Sequence, residues 1–297
     1  MIISRRRTAL RELGASLATY ALVHSAFRLH IVVNEGVVSE DRLSLRAFDR
    51  KGYLHRPMLT VVLEGRARLE QDGMCRWLEA GDVSVLPNKN AVAMRQEGAR
   101  FESLAVEWDP GTLGARPTEW SVSRLPAEAI TRLKPHVRAV AAHGLDGERA
   151  AARFAAIVTL LRESGAPLGR AEPGDLVEAV PEPMRVLSGA LDATLSDLSR
   201  RPMMIDLHRM LGTTPRHLLR LVTAFHASYG FGATGWRDAL NRRRLLHGAA
   251  MMTARGATSE RVAMAVGYGS PAAFWHGLAQ AGLPSPGTVP RVVADLV

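Results

Sequence analysis

The spacing of apolar positions changes period twice along the chain. Over residues 31–108, apolar residues come in strand-length runs and alternations broken by turn residues. Residues 59–63 form a β-rich run that stops at Glu64-Gly65, and residues 66–70 alternate charged and apolar side chains as a half-buried strand does. Asp72-Gly73 predicts a tight hairpin turn, Ala80-Gly81-Asp82 a second, and Pro87-Asn88 ends a further run. Short strands at that spacing predict a barrel or sandwich. Over residues 126–163 the period becomes helical. Ile130, Leu133, Val137 and Val140 make one stripe; Phe154, Ile157, Val158 and Leu161 make another. Such stripes are expected either to dimerise the chain or to pack on its own barrel.

Residues 165–183 are rich in Gly, Pro and acids and read as a linker. Beyond Pro183 the pattern is helical throughout, beginning with the face of Val186, Leu187, Ala190, Leu191, Thr194, Leu195 and Leu198. At the other end, Ser4-Arg5-Arg6-Arg7 followed by residues 13–26 has the outline of a twin-arginine export signal. Arg11, Glu12 and His24 interrupt its apolar part, so an amphipathic helix is expected there instead.

Composition narrows the picture. The 297 residues are 47% hydrophobic and 23% charged, values of a globular chain long enough for two domains. The net charge is +9, which suits a polyanionic partner. Residues 183–297 hold 13 Arg and no Lys against six acids, so most of the excess lies in the helical part. A general arginine bias would spread evenly. The lone cysteine, Cys75, excludes an internal disulfide framework and a cysteine-based zinc cluster, and it is expected to be buried and inert. No run of about 18 apolar residues suggests a membrane span, and a cytoplasmic location is expected.

Two segments of the helical part share one design: residues 205–222, IDLHRMLGTTPRHLLRLV, and residues 261–279, RVAMAVGYGSPAAFWHGLA. Each has a short apolar-faced helix, a glycine (Gly212, Gly267), a tight turn, and Pro215 or Pro271 opening a second helix. Thr214 and Ser270 are placed to cap that second helix. Leu207, Leu211, Leu218 and Leu221 are the expected core of the first unit, and Val262, Val266, Phe274 and Leu278 that of the second, with Ala263 at the crossing. A helix-turn-helix offers the start of its second helix to the DNA major groove. In the first unit that start carries Thr214, Arg216, His217 and Arg220; in the second, Ser270, Ala272 and His276. Arg216 and Arg220 share a face and suit guanine or phosphate. Between the units, residues 236–252 form a linking helix whose Arg242, Arg243 and Arg244 are candidates for backbone contacts.

The stretch from about Met184 to Arg291 resembles the AraC/XylS family of bacterial regulators. The family-like runs are TTPRHLLRLV and VGYGSPAAF, the latter followed by GLPSPGTVPR. The resemblance implies two helix-turn-helix units bridged by one long helix and reading successive major grooves. Glu64-Gly65 and AGDVSVLP at residues 80–87 look like the family's cupin-like effector or dimerisation domain. Three departures stand out. His208 occupies a position where a small residue is usual, the stretch between Arg220 and Trp236 is a few residues longer, and Gly277, Ala279 and Gln280 replace the basic end of the second recognition helix.

Together these readings predict an α+β chain. Residues 1–164 form a cupin-like β-barrel with a helical dimerisation segment, residues 165–183 a linker, and residues 184–297 an all-α domain with two helix-turn-helix units. The expected function is sequence-specific DNA binding that regulates transcription, with double-stranded DNA as partner, a homodimer as assembly, and a small-molecule effector and RNA polymerase as further candidates. No cofactor, metal or membrane contact is expected. A cupin metal site needs two or three His, whereas this region offers His55, no His-x-His pair, and Asn88-Lys89-Asn90 where another ligand would fall. Tyr53, His55, Trp77, Met94 and Trp108 are the candidate ligand-lining residues. Two rival readings are a partner-binding modulator of another regulator, with a degenerate second unit, and a barrel enzyme carrying an accessory helical domain.

Overall fold

Alternating side chains and turn glycines build eight strands in the computed structural model, which describes residues 1–39, 56–71, 74–88, 93–142, 147–169, 180–229 and 235–291. The strands are β1 (Ile2–Leu10), β2 (Ala15–Val23), β3 (Phe27–Glu35), β4 (Met58–Gln71), β5 (Met74–Glu79), β6 (Asp82–Leu86), β7 (Ala93–Trp108) and β8 (Ser121–Arg124). All pairings among the described residues are antiparallel, in the order β1-β2-β3-β7-β4-β6-β8, with β5 on the distal half of β4. The path is open: β1 and β8 lie at its two ends. Register shifts near Gly65 bend β4 where it runs beside β7.

The N-terminal segment is a hairpin rather than the amphipathic helix its sequence suggested. Residues 2–10 pair with residues 15–23 around Gly14, whose φ of +60° turns the chain. The correction has a local cause. Thr8, Thr19, Tyr20 and the valines beyond favour a pleated surface, and both strands have apolar partners on both of their faces, which masks the period of two.

Paired residues in an antiparallel ladder point the same way, so the registers sort the side chains by face. Leu22, Leu29, Ile31, Leu59, Val61, Leu104, Val106 and Trp108 form one dry face. Helices α1 (Ala127–Ala141) and α2 (Gly147–Glu163) cover it with Leu133, Val137, Val140, Phe154, Ile157, Val158 and Leu161, all at most 1% exposed. Each such side chain contributes about 1.5–3 kcal/mol by leaving water. The two apolar stripes are therefore spent on the chain's own sheet, and the homodimer expectation loses the feature it rested on. Trp108 belongs to this dry face.

The opposite face divides into parts. Near the bend, Met58, Val62, Leu69, Leu78, Leu86 and Phe101 make a small core of their own. In the middle, His30, Thr60, Ser84, Ser103 and Glu107 form a buried or half-buried polar row. At the hairpin end, Ile2, Leu10, Ala15, Leu17, Ala21 and Val23 join the core of the C-terminal helices.

Those helices are α3 (Glu182–Leu195), α4 (Met204–Leu211), α5 (Pro215–Tyr229), α6 (Trp236–Met251), α7 (Ser259–Ala265) and α8 (Pro271–Gln280). No helix among the described residues is long and apolar enough to cross a membrane. The hairpin packs on α3, α6 and α7. Strand β1 is the sheet edge, and its free Arg5 N–H donates to both carboxylate oxygens of Asp192 on α3, each at 2.9 Å. Thr8 Oγ1 lies 2.6 Å from His247 Nδ1 of α6, with both residues buried. Beyond β3, the Val38 N–H donates to Thr253 Oγ1 at 2.7 Å, and Arg28 Nη2 donates to the Tyr229 carbonyl at 3.1 Å.

His247 carries the pH dependence of this junction. Burial, and then the nearby Arg243 and Arg6 charges, hold its imidazole well below the ordinary 6.5. The unfolded chain takes up a proton near pH 6.5 that the folded chain refuses, so the stability is present above that pH and declines below it. We expect the wild type to lose up to about 1.4 kcal/mol per pH unit below pH 6 relative to His247→Gln, which keeps a polar partner for Thr8. Parallel urea unfolding curves of the two proteins across that range would refute this.

Candidate nucleic-acid interface

Two helix–glycine–helix units frame the surface. In the first, α4 opens with the Met203 N–H donating to the Asp206 carboxylate at 2.8 Å. It ends where the Gly212 N–H donates to the His208 carbonyl at 3.0 Å, with Gly212 at φ +57°. Thr214 Oγ1 then accepts the His217 N–H at 3.3 Å and caps α5. Leu207 and Leu218 are fully buried, and Leu211 and Leu221 pack against them. The second unit repeats the scheme. Thr258 caps α7, Gly267 turns the chain at φ +82°, and Ser270 Oγ accepts the Ala273 N–H at 3.2 Å to cap α8. Val262, Ala263, Val266, Phe274 and Leu278 all have zero exposure.

The opening turns of α5 and α8 point outward. Thr214, Arg216, His217 and Arg220 are exposed, and so are Ser270, Ala272 and His276. Arg216 and Arg220 lie four residues apart on one α5 face. The exposed side of α8 is apolar instead, with Ala272, Ala273 and Trp275, the last 48% exposed. Gly277, where the family resemblance implies a basic residue, is buried. A Cβ there would come within 2.6 Å of the Tyr268 hydroxyl, so close approach explains the glycine. Between the units lies an open cleft of about 800 Å³, lined by Leu219, Trp236, Arg237, Arg244 and Gln280 among others.

The linking-helix arginines sit differently from expectation. Arg242 is 7% exposed, its Nε donating to Asp238 Oδ1 at 2.9 Å one turn earlier. Arg243 is 3% exposed and faces the hairpin, where burial lowers its pKa well below normal. Neither is presented to a phosphate backbone. Arg244 is half-buried over the Tyr268 ring at 5.7 Å, and Tyr268 OH donates to Asn241 Oδ1 at 3.0 Å. Burial pushes the Tyr268 phenol to about 12. These contacts tie α6 to the turn of the second unit. The reason is helical geometry: three consecutive residues span most of a turn and cannot all face solvent on a helix packed on several sides.

Arg201 was not singled out in the sequence. It is exposed, has the one positive φ (53°) of a non-glycine residue among those described, and places Nη1 beside Gly269 at the start of α8. It thus places a cation next to α8, which has no Arg or Lys of its own. No period or motif marks such a residue; only the backbone turn after residues 198–200 brings it there.

The ligand-lining candidates do not converge. Tyr53 and His55 lie outside the described residues. Trp77 is 47% exposed on β5 under the Arg66 guanidinium, Met94 borders the small core near the bend, and Trp108 belongs to the dry face. Cys75 is exposed rather than buried and accepts from Arg68 Nε at 2.9 Å. The polar row of the sheet is what the sequence reading missed. There His30 Nε2 sits 3.4 Å from Glu107 Oε1, Trp120 Nε1 donates to Ser84 Oγ at 3.0 Å, and Thr60 Oγ1 is buried without a hydrogen-bond partner among the described residues. No cluster of three metal-ligating side chains occurs among the described residues.

No family model and no curated protein matches the chain. Among solved structures the chain is similar to an apo ToxT variant from Vibrio cholerae strain SCE256, at 12% identity over 93% of this chain and 99% of that one, TM-score 0.33. It is also similar to the AraC-like transcriptional activator CuxR, at 14% identity over 80% and 82%, TM-score 0.37. A further similarity is to a putative glyoxylate induced protein from Pseudomonas aeruginosa, at 14% identity over 36% and 41%, TM-score 0.27.

The two turn glycines make a matched test of the two units' geometry. Both have left-handed backbones, but a Cβ on Gly267 would collide with the Leu198 carbonyl oxygen, whereas around Gly212 nothing lies within 4 Å. Gly212→Ala should cost about 1 kcal/mol, the left-handed penalty alone. Gly267→Ala should cost at least about 2 kcal/mol more, as backbone must shift. Equal unfolding midpoints for the two variants would contradict this.

Proposed function

We propose that the chain is a DNA-binding transcription regulator of the AraC/XylS type. In this reading α4–α5 and α7–α8 are its two helix-turn-helix units and α6 is the bridge between them. The observation that carries the proposal is the paired design. Two helix–glycine–helix units each have a left-handed glycine, a capped second helix and an outward-facing opening turn, and the excess positive charge is concentrated in the same region. Arg216 and Arg220 would read bases or grip phosphate, with His217 and Thr214 beside them. The second unit would bind through the α8 N-terminal amides, Ser270, Ala272 and the Arg201 guanidinium, with His276 and Trp275 against the groove wall. The cupin-like half, residues 1–164, would take a small-molecule effector on the polar row of His30, Thr60, Ser103 and Glu107.

The apolar outer face of α8 favours a second reading, in which the second unit docks a protein partner such as RNA polymerase or another regulator. Genome-wide mapping of bound DNA supplies the operator, and binding to it separates the two. Neutralising several phosphates makes log affinity fall steeply with log salt, and an affinity flat between low and moderate salt would count against DNA as the partner. On one operator at one salt concentration, Arg216→Ala and Arg220→Ala should each weaken binding about tenfold or more, from the roughly 1–3 kcal/mol of a bidentate arginine contact. Arg201→Ala should weaken it several-fold, and His276→Ala least. If His276→Ala equals the α5 variants while Arg201→Ala has no effect, the assignment of the second unit is wrong.

A further inference from the structure

Turning Arg243 inward leaves a specific electrostatic problem at the junction of sheet and helices. A cavity of about 30 Å³ lies between β1, α3, α5 and α6, its polar lining formed by Ser4, Arg6, Ser188, Asp192, His226 and Arg243. Arg243 is 3% exposed, and its Nε and Nη2 are buried without a hydrogen-bond partner among the described residues. Nearly all buried N–H donors have an acceptor, and an unmatched guanidinium is among the costliest exceptions. Asp192 is the one acid in the lining, and it faces both Arg6 and Arg243. Each of its oxygens already accepts the Arg5 N–H. Arg28 stands near enough to Arg6 to repel it. One carboxylate thus faces several guanidinium groups, and Arg243 lacks acceptors for two of its nitrogens among the described residues.

We propose that this cavity is a binding site for one compact monoanion of the chloride or formate class, held by the inward guanidinium of Arg243 beside Arg6 and the hydroxyls of Ser4 and Ser188. The size selects the ligand. A water needs at least about 10–15 Å³ of such space, so the cavity takes one small ion and no organic chain or phosphate group. Burial holds the Asp192 carboxyl above its ordinary range, against the pull of the Arg5 N–H and the neighbouring arginines. Because β1 forms one wall and α3 and α6 the others, the ion would fasten the sheet edge to the helices.

Thermal unfolding of the full-length chain tests this, with chloride exchanged for gluconate at constant ionic strength. The wild type should gain about 2–4 °C in Tm as chloride rises, with saturation. Arg243→Met should not respond, while Arg255→Met, on an exposed turn, should respond like the wild type. Phosphate should leave Tm at the gluconate value. Equal responses of wild type and Arg243→Met, or of chloride and phosphate, would show general screening and overturn the proposal. Crystals grown in bromide give a direct answer that does not depend on the variant folding. An anomalous peak within hydrogen-bond distance of Arg243 Nε is expected, and a cavity holding only water would overturn the site.

Discussion

An edge strand must be covered, and here helices rather than another strand cover it. The outward N–H of Arg5 needs an acceptor, and Asp192 provides it from α3. That one requirement sets the rest of the arrangement. It fixes α3 along β1, brings His247 of α6 onto Thr8, and places Ile2, Leu10, Leu17 and Val23 in one core with Leu187, Phe225 and Val262. Exposed edges template unwanted pairing. This chain covers its β1 edge with the part proposed to bind DNA, so the two parts cannot move freely past one another.

Much of this was legible in the sequence because it is periodic. The stripes of α1 and α2, the β character of residues 58–108, the two turn glycines and the caps Thr214 and Ser270 all follow from local rules. What was illegible is non-local. The β1–β2 hairpin hid because both of its faces are covered by different parts of the chain. Arg242 and Arg243 read as surface cations because a run of charges resembles a solvated face, whereas Arg243 faces the hairpin and Arg242 is held on Asp238 of its own helix. Arg201 and the polar row of His30 and Glu107 come from strands or turns whose meeting no spacing encodes. Gly277 read as a lost basic contact, but its place against Tyr268 makes it an interior packing position.

Helix α6 carries unusual weight for its length. Asp238–Arg242 staples its first turns, Arg244 and Asn241 hold the Tyr268 turn of the second unit, and Arg243 and His247 face the hairpin. A change in the sheet and a change in the spacing of the two units would therefore pass through the same few residues. That is a packed physical link between halves, and its polar members are the ones whose replacement by similar apolar side chains need not unfold the chain.

The reach of the junction contacts along the chain has a kinetic side. Arg5 and Asp192 are 187 residues apart, and Thr8 and His247 are 239 apart. Pairings so distant form late, because loop closure must precede them. During synthesis the hairpin emerges before those helices and waits, with one apolar face and a bare edge, until they have left the ribosome. For that interval the nascent chain presents the kind of surface that chaperones bind, and its yield in a cell should depend on them more than its final stability suggests.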